Sequence, residues 1–118
     1  MTSRSTPEIR RDIPAPSSES KEVWGSDSIA EMIRALNIPF VLLNPGSSFR
    51  GIHDSLVNHL GNERPQMLVV LHEEHAVAIA HGYTKVTGRP LAAFLHSNVG
   101  LMHGSMAIYN AWNDRIPI

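Results

Sequence analysis

Glu73 has the strongest claim to chemistry in this 118-residue chain. An apolar run, Met67-Leu-Val-Val-Leu71, leads straight into His72 and Glu73, and an alanine-rich segment with an internal glycine follows. That order sets a carboxylate at the carboxyl end of a buried strand, where open α/β sheets bind their ligands. Two more polar clusters stand in the same relation to apolar runs: Asn44-Pro-Gly-Ser47 follows Phe40-Val-Leu-Leu43, and His96-Ser97 follows Leu91-Ala-Ala-Phe-Leu95. A carboxylate, a hydroxyl and an imidazole at one sheet edge can hold a ligand and exchange protons with it near neutrality. Each also has an ordinary structural use. A glutamate at a helix start is stabilised by the helix dipole, a histidine after a strand satisfies local hydrogen bonds, and Pro-Gly-Ser makes a sharp turn. Their coincidence points to a site.

The elements that must position these groups alternate between helix and strand. Ile29, Met32, Ile33 and Leu36 follow helical spacing, Ser28 and Glu31 form an expected capping box, and Asn37 ends that helix. Residues 40–43 read as a buried strand, and a second helix is expected over roughly 49–60, with Ile52, Leu56, Val57 and Leu60 on one face. A strand over 67–71 precedes a helix from Glu74 to about Thr87, closed by Gly88 with Pro90 just beyond. A third strand spans 91–95. The last helix runs from about Val99 to Asn113, with Leu101, Ser105, Ile108 and Trp112 as one stripe. Strands apolar on both faces, alternating with helices, predict an α/β fold: a parallel sheet with helices on both faces. Ile116-Pro-Ile118 reads as the entry to a fourth strand, so the sheet is expected to be incomplete at the C-terminus.

Composition narrows the function classes. Hydrophobic residues make up 42 % of the chain, enough for a core, and the formal charge of −1 offers nothing to nucleic acid or acidic membranes. No apolar run approaches the ~20 residues needed to span a bilayer. With no cysteine, disulfide frameworks and thiolate metal sites are excluded. Residues 1–23 are rich in proline, serine and threonine, and Arg4, Arg10 and Arg11 are offset by Glu8, Asp12 and Glu19. They resemble neither a transit peptide nor a secretory signal, and a disordered tail is expected there. One domain over 24–118 and a cytoplasmic location follow as expectations. His72-Glu-Glu-His75 lacks the His-Glu-x-x-His spacing that puts two rings on one helical face. The seven histidines show no ligand spacing elsewhere, so no metal site is expected within the chain. Gly46 to Gly51 is not a nucleophile elbow, and Gly82 to Gly88 is not a P-loop.

Asn44-Pro-Gly-Ser47, Leu71-His-Glu73, Ala80-His-Gly-Tyr83, Leu95-His-Ser97 and Asn110-Ala-Trp-Asn113 with the following Ile-Pro together resemble a known family. The resemblance covers residues 26–118. It is to the N-terminal, pyrimidine-binding domain of thiamine-diphosphate decarboxylases and acetolactate-synthase-like enzymes, closest to the benzoylformate decarboxylase branch. It implies a flavodoxin-like architecture and thiamine diphosphate as cofactor. Glu73 would be the carboxylate that shares a proton with the aminopyrimidine ring nitrogen and so activates the cofactor, with burial favouring its protonated form. Pro45 and Gly46 would bring backbone close to the pyrimidine. Ser47 and His96 would line the substrate side, the serine hydrogen-bonding a 2-oxo acid carboxylate and the histidine moving a proton. Glu74, one residue into the helix, falls outside the motif and is expected on the surface.

The same resemblance implies a homo-oligomer, dimer or tetramer, with sites shared between subunits. In the family a Gly-Asp-Gly motif in a separate domain holds Mg2+ and the diphosphate, and no such motif occurs here. The segment around Gly61-Asn-Glu-Arg-Pro65 is longer than in the benzoylformate branch, and His75 and His81 replace small or acidic residues. The reading is the front part of a 2-oxo acid decarboxylase or lyase. Acetolactate-synthase-like carboligation, or a non-catalytic interaction module, stands beside it as an alternative.

Overall fold

The computed structural model describes Asp12 and residues 24–118, so the expected disordered tail lies, Asp12 apart, outside the described residues. Helix α1 spans Gly25–Ala35. It starts one turn earlier than the Ser28–Glu31 capping box required, because Asp27 accepts a 2.8 Å hydrogen bond from the Trp24 amide. Glu31 is drawn sideways instead, to Arg34 and to His59 Nε2. Asn37 ends the helix as expected, in the left-handed region at φ 59°.

Three strands follow: β1 Phe40–Leu43, β2 Gln66–Val69 and β3 Ala92–Phe94. They form one parallel sheet in the order β2-β1-β3, with Val41 opposite Met67 on one side and Ala92 on the other. Because strand side chains alternate, β1 feeds two cores. Val41 and Leu43 pack with Ala30, Ile33, Leu56, Val57 and Met67 on one face. Leu42 packs with Val70, Ala76, Ala80 and Leu91 on the other. The expected α/β sheet, covered on both faces, is present.

The segment after β1 is not the single helix expected over 49–60. A 3₁₀ turn at Ser47–Phe49, helix α2 at Arg50–Asp54 and a π-helical turn at Ser55–His59 follow one another. The Ser55 hydroxyl lies within hydrogen-bonding distance of the Gly51 carbonyl, at 3.1 Å, and of Ser26 Oγ, at 2.8 Å. Such bonding back into the preceding turn loosens a helix, and the Leu60 amide reaches five residues back to Ser55.

Helix α3, Glu73–Thr87, lies against the second core and ends at Gly88, whose φ of 71° carries the left-handed cap. Helix α4, Ser97–Asn113, packs on α3. Its expected stripe faces the other way: Leu101 is 55 % and Trp112 80 % exposed, while Gly100, Gly104, Ala107 and Ala111 are buried. Small residues let the two helices approach closely. A Cβ on Gly104 would sit 3.2 Å from Leu95 Cδ1 and 3.4 Å from Val77 Cγ2. The far ends of the pair are tied by Asp114, which accepts from Lys85 at 2.6 Å and pairs with His81 at 3.0 Å. No helix among the described residues is long and apolar enough to cross a membrane.

Candidate functional site

With β1 central and β3 beside it, the strand order reverses between β1 and β3, and crevice ligands bind outside the carboxyl ends of strands at such a switch point. The segments leaving β1, β2 and β3 carry Asn44, Glu73 and His96, so the fold brings the three sequence clusters to one edge.

Glu73 is the first residue of α3, with His72 as its N-cap; the Glu74 amide donates to His72 Nδ1 at 3.2 Å. The carboxylate is only 4 % exposed, whereas Glu74 is on the surface as expected. Burial pushes the Glu73 carboxyl up. The amide at its own helix terminus, the Asn44 side chain and the His103 ring together outweigh burial and hold it below the ordinary carboxylate value. The expected preference for the protonated form is therefore reversed, because the pocket supplies hydrogen-bond donors as well as dryness. His103 Nδ1 lies 3.3 Å from Glu73 Oε2. Gly100, one turn earlier on α4, makes room for the carboxylate: a Cβ there would meet Glu73 Oε1 at 2.8 Å.

His96 leaves β3 as the N-cap residue of α4, and the chain turns at Ser97, whose φ of 55° is left-handed. The His96 ring lies over the Gly46 backbone, where a Cβ would come within 2.4 Å of Nδ1. Its Nδ1 is 2.7 Å from Ser48 Oγ, and Phe49 meets it edge-on with centroids 5.8 Å apart. The serine that His96 touches is thus Ser48. Ser47 is exposed at the start of the 3₁₀ turn. Pro45, Gly46 and Ser47 line a cavity of about 280 Å³ with Leu43, Phe49, Arg50 and His53.

Asn44 gains a role beyond its place in the turn. His103 was not legible from local spacing, since it lies thirty residues from Glu73 in sequence. The one available signal was its i+3 relation to Gly100 on the same helical face. The structure also gathers His72, Glu73 and His103, one donor atom each, all within 4.8 Å of one another. No short-range histidine pattern contains that triplet.

The family model of the thiamine pyrophosphate enzyme N-terminal TPP binding domain matches residues 23–118. The chain belongs to this family. Among curated proteins, this TPP-binding domain is 26 % identical over 98 residues to the acetolactate synthase large subunit of Haemophilus influenzae, and 24 % identical over 98 residues to that of Lactococcus lactis. Each alignment covers 83 % of this chain but only 17 % and 16 % of the respective relative, so the chain spans about a sixth of their length. No solved structure gives a significant match.

The residues fit the aminopyrimidine half of thiamine diphosphate. A buried carboxylate stands at the carboxyl edge of the sheet, while the space left by the missing Cβ at Gly46 is filled by the His96 ring. For the diphosphate half, the 118 residues contain no Gly-Asp-Gly motif.

Proposed function

We propose that this domain supplies the activating carboxylate of a thiamine-diphosphate enzyme that decarboxylates a 2-oxo acid. The observation that carries the reading is Glu73: buried, ionised, and hydrogen-bonded by Asn44 and His103 at the carboxyl edge of the sheet. When bound, the cofactor would supply a carbon acid whose conjugate base, formed once its proton is removed, is the nucleophile toward the keto group of the substrate. Glu73 holds a proton at the pyrimidine nitrogen, and burial under α4 keeps bulk water from that exchange. In this reading His96, which touches Ser48 and the Gly46 backbone, moves a second proton on the substrate side, and Ser47 donates a hydrogen bond to the substrate carboxylate. That pair supports the benzoylformate-decarboxylase-like version.

The names of the curated relatives favour a second version, acetolactate-synthase-like carboligation, in which the decarboxylated fragment is joined to another 2-oxo acid. Product analysis separates the two: free aldehyde for the first, a coupled hydroxy acid for the second. In either version residues outside these 118 hold Mg2+ and the diphosphate, the assembly is a cytoplasmic homo-oligomer, and neither nucleic acid nor membrane is a partner. A chain serving only as an interaction module would leave Glu73 without chemistry to do.

The test is a pair of substitutions in protein completed with a diphosphate-binding domain. Glu73→Gln should slow hydrogen–deuterium exchange at the thiazolium carbon by about 10²–10⁴-fold while the cofactor still binds. Glu74→Gln should leave exchange near wild type. Equal losses in the two variants, or none in Glu73→Gln, would reject the assignment.

A further inference from the structure

We propose that His72, Glu73 and His103 form a binding site for a borderline divalent metal of the Zn2+ or Co2+ class, distinct from the Mg2+ that accompanies the diphosphate. One donor atom of each residue lies within 4.8 Å of the other two, and His103 Nδ1 is already 3.3 Å from Glu73 Oε2. A tetrahedral zinc with bonds of about 2.0–2.2 Å spaces its donors by about 3.4 Å, so that edge is already of ligating length. The His103 side chain, half exposed, can rotate to close the wider gap. The donors come from two elements: His72 and Glu73 from the start of α3, and His103 from the second turn of α4. Those elements are held in register by the glycine contacts described above, so the triplet does not rely on a loop. The imidazole rings of His72 and His103 lie side by side, with centroids 4.9 Å apart.

The donor set selects the metal class. Two imidazoles and one carboxylate suit zinc, cobalt or nickel, whereas Mg2+ prefers oxygen ligands throughout. The fourth position is left to water, or to His75, whose ring centroid is 5.8 Å from that of His72. Ligation through His72 Nδ1 would replace the 3.2 Å hydrogen bond from the Glu74 amide, whereas ligation through Nε2 would keep it. The consequence, which rests on the reading of Glu73 given above, is inhibition: a metal on this carboxylate neutralises the charge that must act on the pyrimidine nitrogen.

The test titrates the whole chain with Co2+, without thiamine diphosphate, and follows the visible absorption of a tetrahedral cobalt site; Zn2+ displacement is read by calorimetry. One Co2+ per chain is expected. His103→Ala, a half-exposed position, should weaken binding on the order of tenfold or more, while His53→Ala and His81→Ala leave it unchanged. Glu73→Gln should weaken it too, with circular dichroism confirming the helix content of every variant. The absence of a one-to-one site overturns the proposal. So does affinity unaffected by His103→Ala, or lost equally in His53→Ala. Because the readout is metal binding alone, a positive result stands even if Glu73 proves not to activate the cofactor. A negative result leaves the exchange experiment on Glu73 untouched.

Discussion

Glu73 and His96 are held by different means, and this divides their expected behaviour. Glu73 is fixed by burial and by charge-assisted hydrogen bonds from Asn44 and His103, whereas His96 is fixed by a close backbone and one hydroxyl. His96→Ala in the completed enzyme should slow turnover of the 2-oxo acid yet leave thiazolium exchange largely intact; a fall in exchange as deep as that of Glu73→Gln would show that the roles are not separable. Ionisation adds a stability prediction. The Glu73 carboxyl lies below its ordinary value, as does that of Asp27, held down by Ser55 and by the Trp24 amide. A carboxylate with a depressed folded-state pKa contributes stability that is complete above its unfolded value and is lost as pH falls through the folded one. Thermal melts should therefore weaken as pH drops below the ordinary carboxylate range. Asp27→Asn should be less stable than wild type near neutrality but lose less on acidification, and parallel pH profiles for the two proteins would contradict the assignment.

At the scale of the element, the pairing of α3 with α4 decides whether Glu73 is buried correctly, and the glycines of α4 set that distance. Gly100→Ala would put a methyl group 2.8 Å from Glu73 Oε1 and 3.0 Å from the Leu95 carbonyl carbon, which is backbone and yields little. Overpacking of this kind costs about 1–3 kcal/mol. Thermal denaturation should place Gly100→Ala at the upper part of that range, with thiazolium exchange also reduced. Gly104→Ala, whose new methyl meets only the Leu95 and Val77 side chains at 3.2 Å or more, should be milder and leave exchange closer to wild type. The reverse ranking would mean that α4 is not seated as described. Gly46→Ala belongs to the same series: its Cβ would occupy the space of the His96 ring, so it should resemble His96→Ala in its kinetics.

Over the whole molecule, the largest apolar residues of α4 face outward. Leu101, Met102, Met106, Tyr109 and Trp112 are all more than half exposed, and Leu71, two residues past β2, is 91 % exposed. A contiguous apolar surface of this kind drives association, and two edge strands of a three-stranded sheet add unpaired backbone groups. The 118-residue chain on its own should associate. Sedimentation should show oligomers that shrink when Leu101, Met102 and Trp112 are changed to lysine. A monodisperse monomer at high concentration would count against the reading. The same chain should bind thiamine diphosphate weakly, since a pyrimidine pocket alone forgoes the contacts to diphosphate and metal; micromolar affinity by calorimetry would refute this.

The sequence alone determined the alternation of helix and strand, the parallel sheet, and the place of Glu73, His96 and the Asn44 turn at strand ends. Those features rest on local physics: apolar runs between polar stops, Gly88 as a left-handed cap, Asn37 as a helix stop. The motif around Glu73 was also enough to indicate the family. Tertiary structure alone decided which face of α4 is buried, because an apolar stripe of Leu101, Ile108 and Trp112 is a stronger local signal than the glycines and alanines that pack on α3. It decided that Ser48, one residue past the motif serine, meets His96, since a 3₁₀ turn rotates the two hydroxyls apart. And it decided the state of Glu73. Burial by itself favours a protonated carboxyl, but the ring of His103 and the amide of Asn44 reach it only when α4 and β1 are in place. Such donors are distant in sequence, and no periodicity records them.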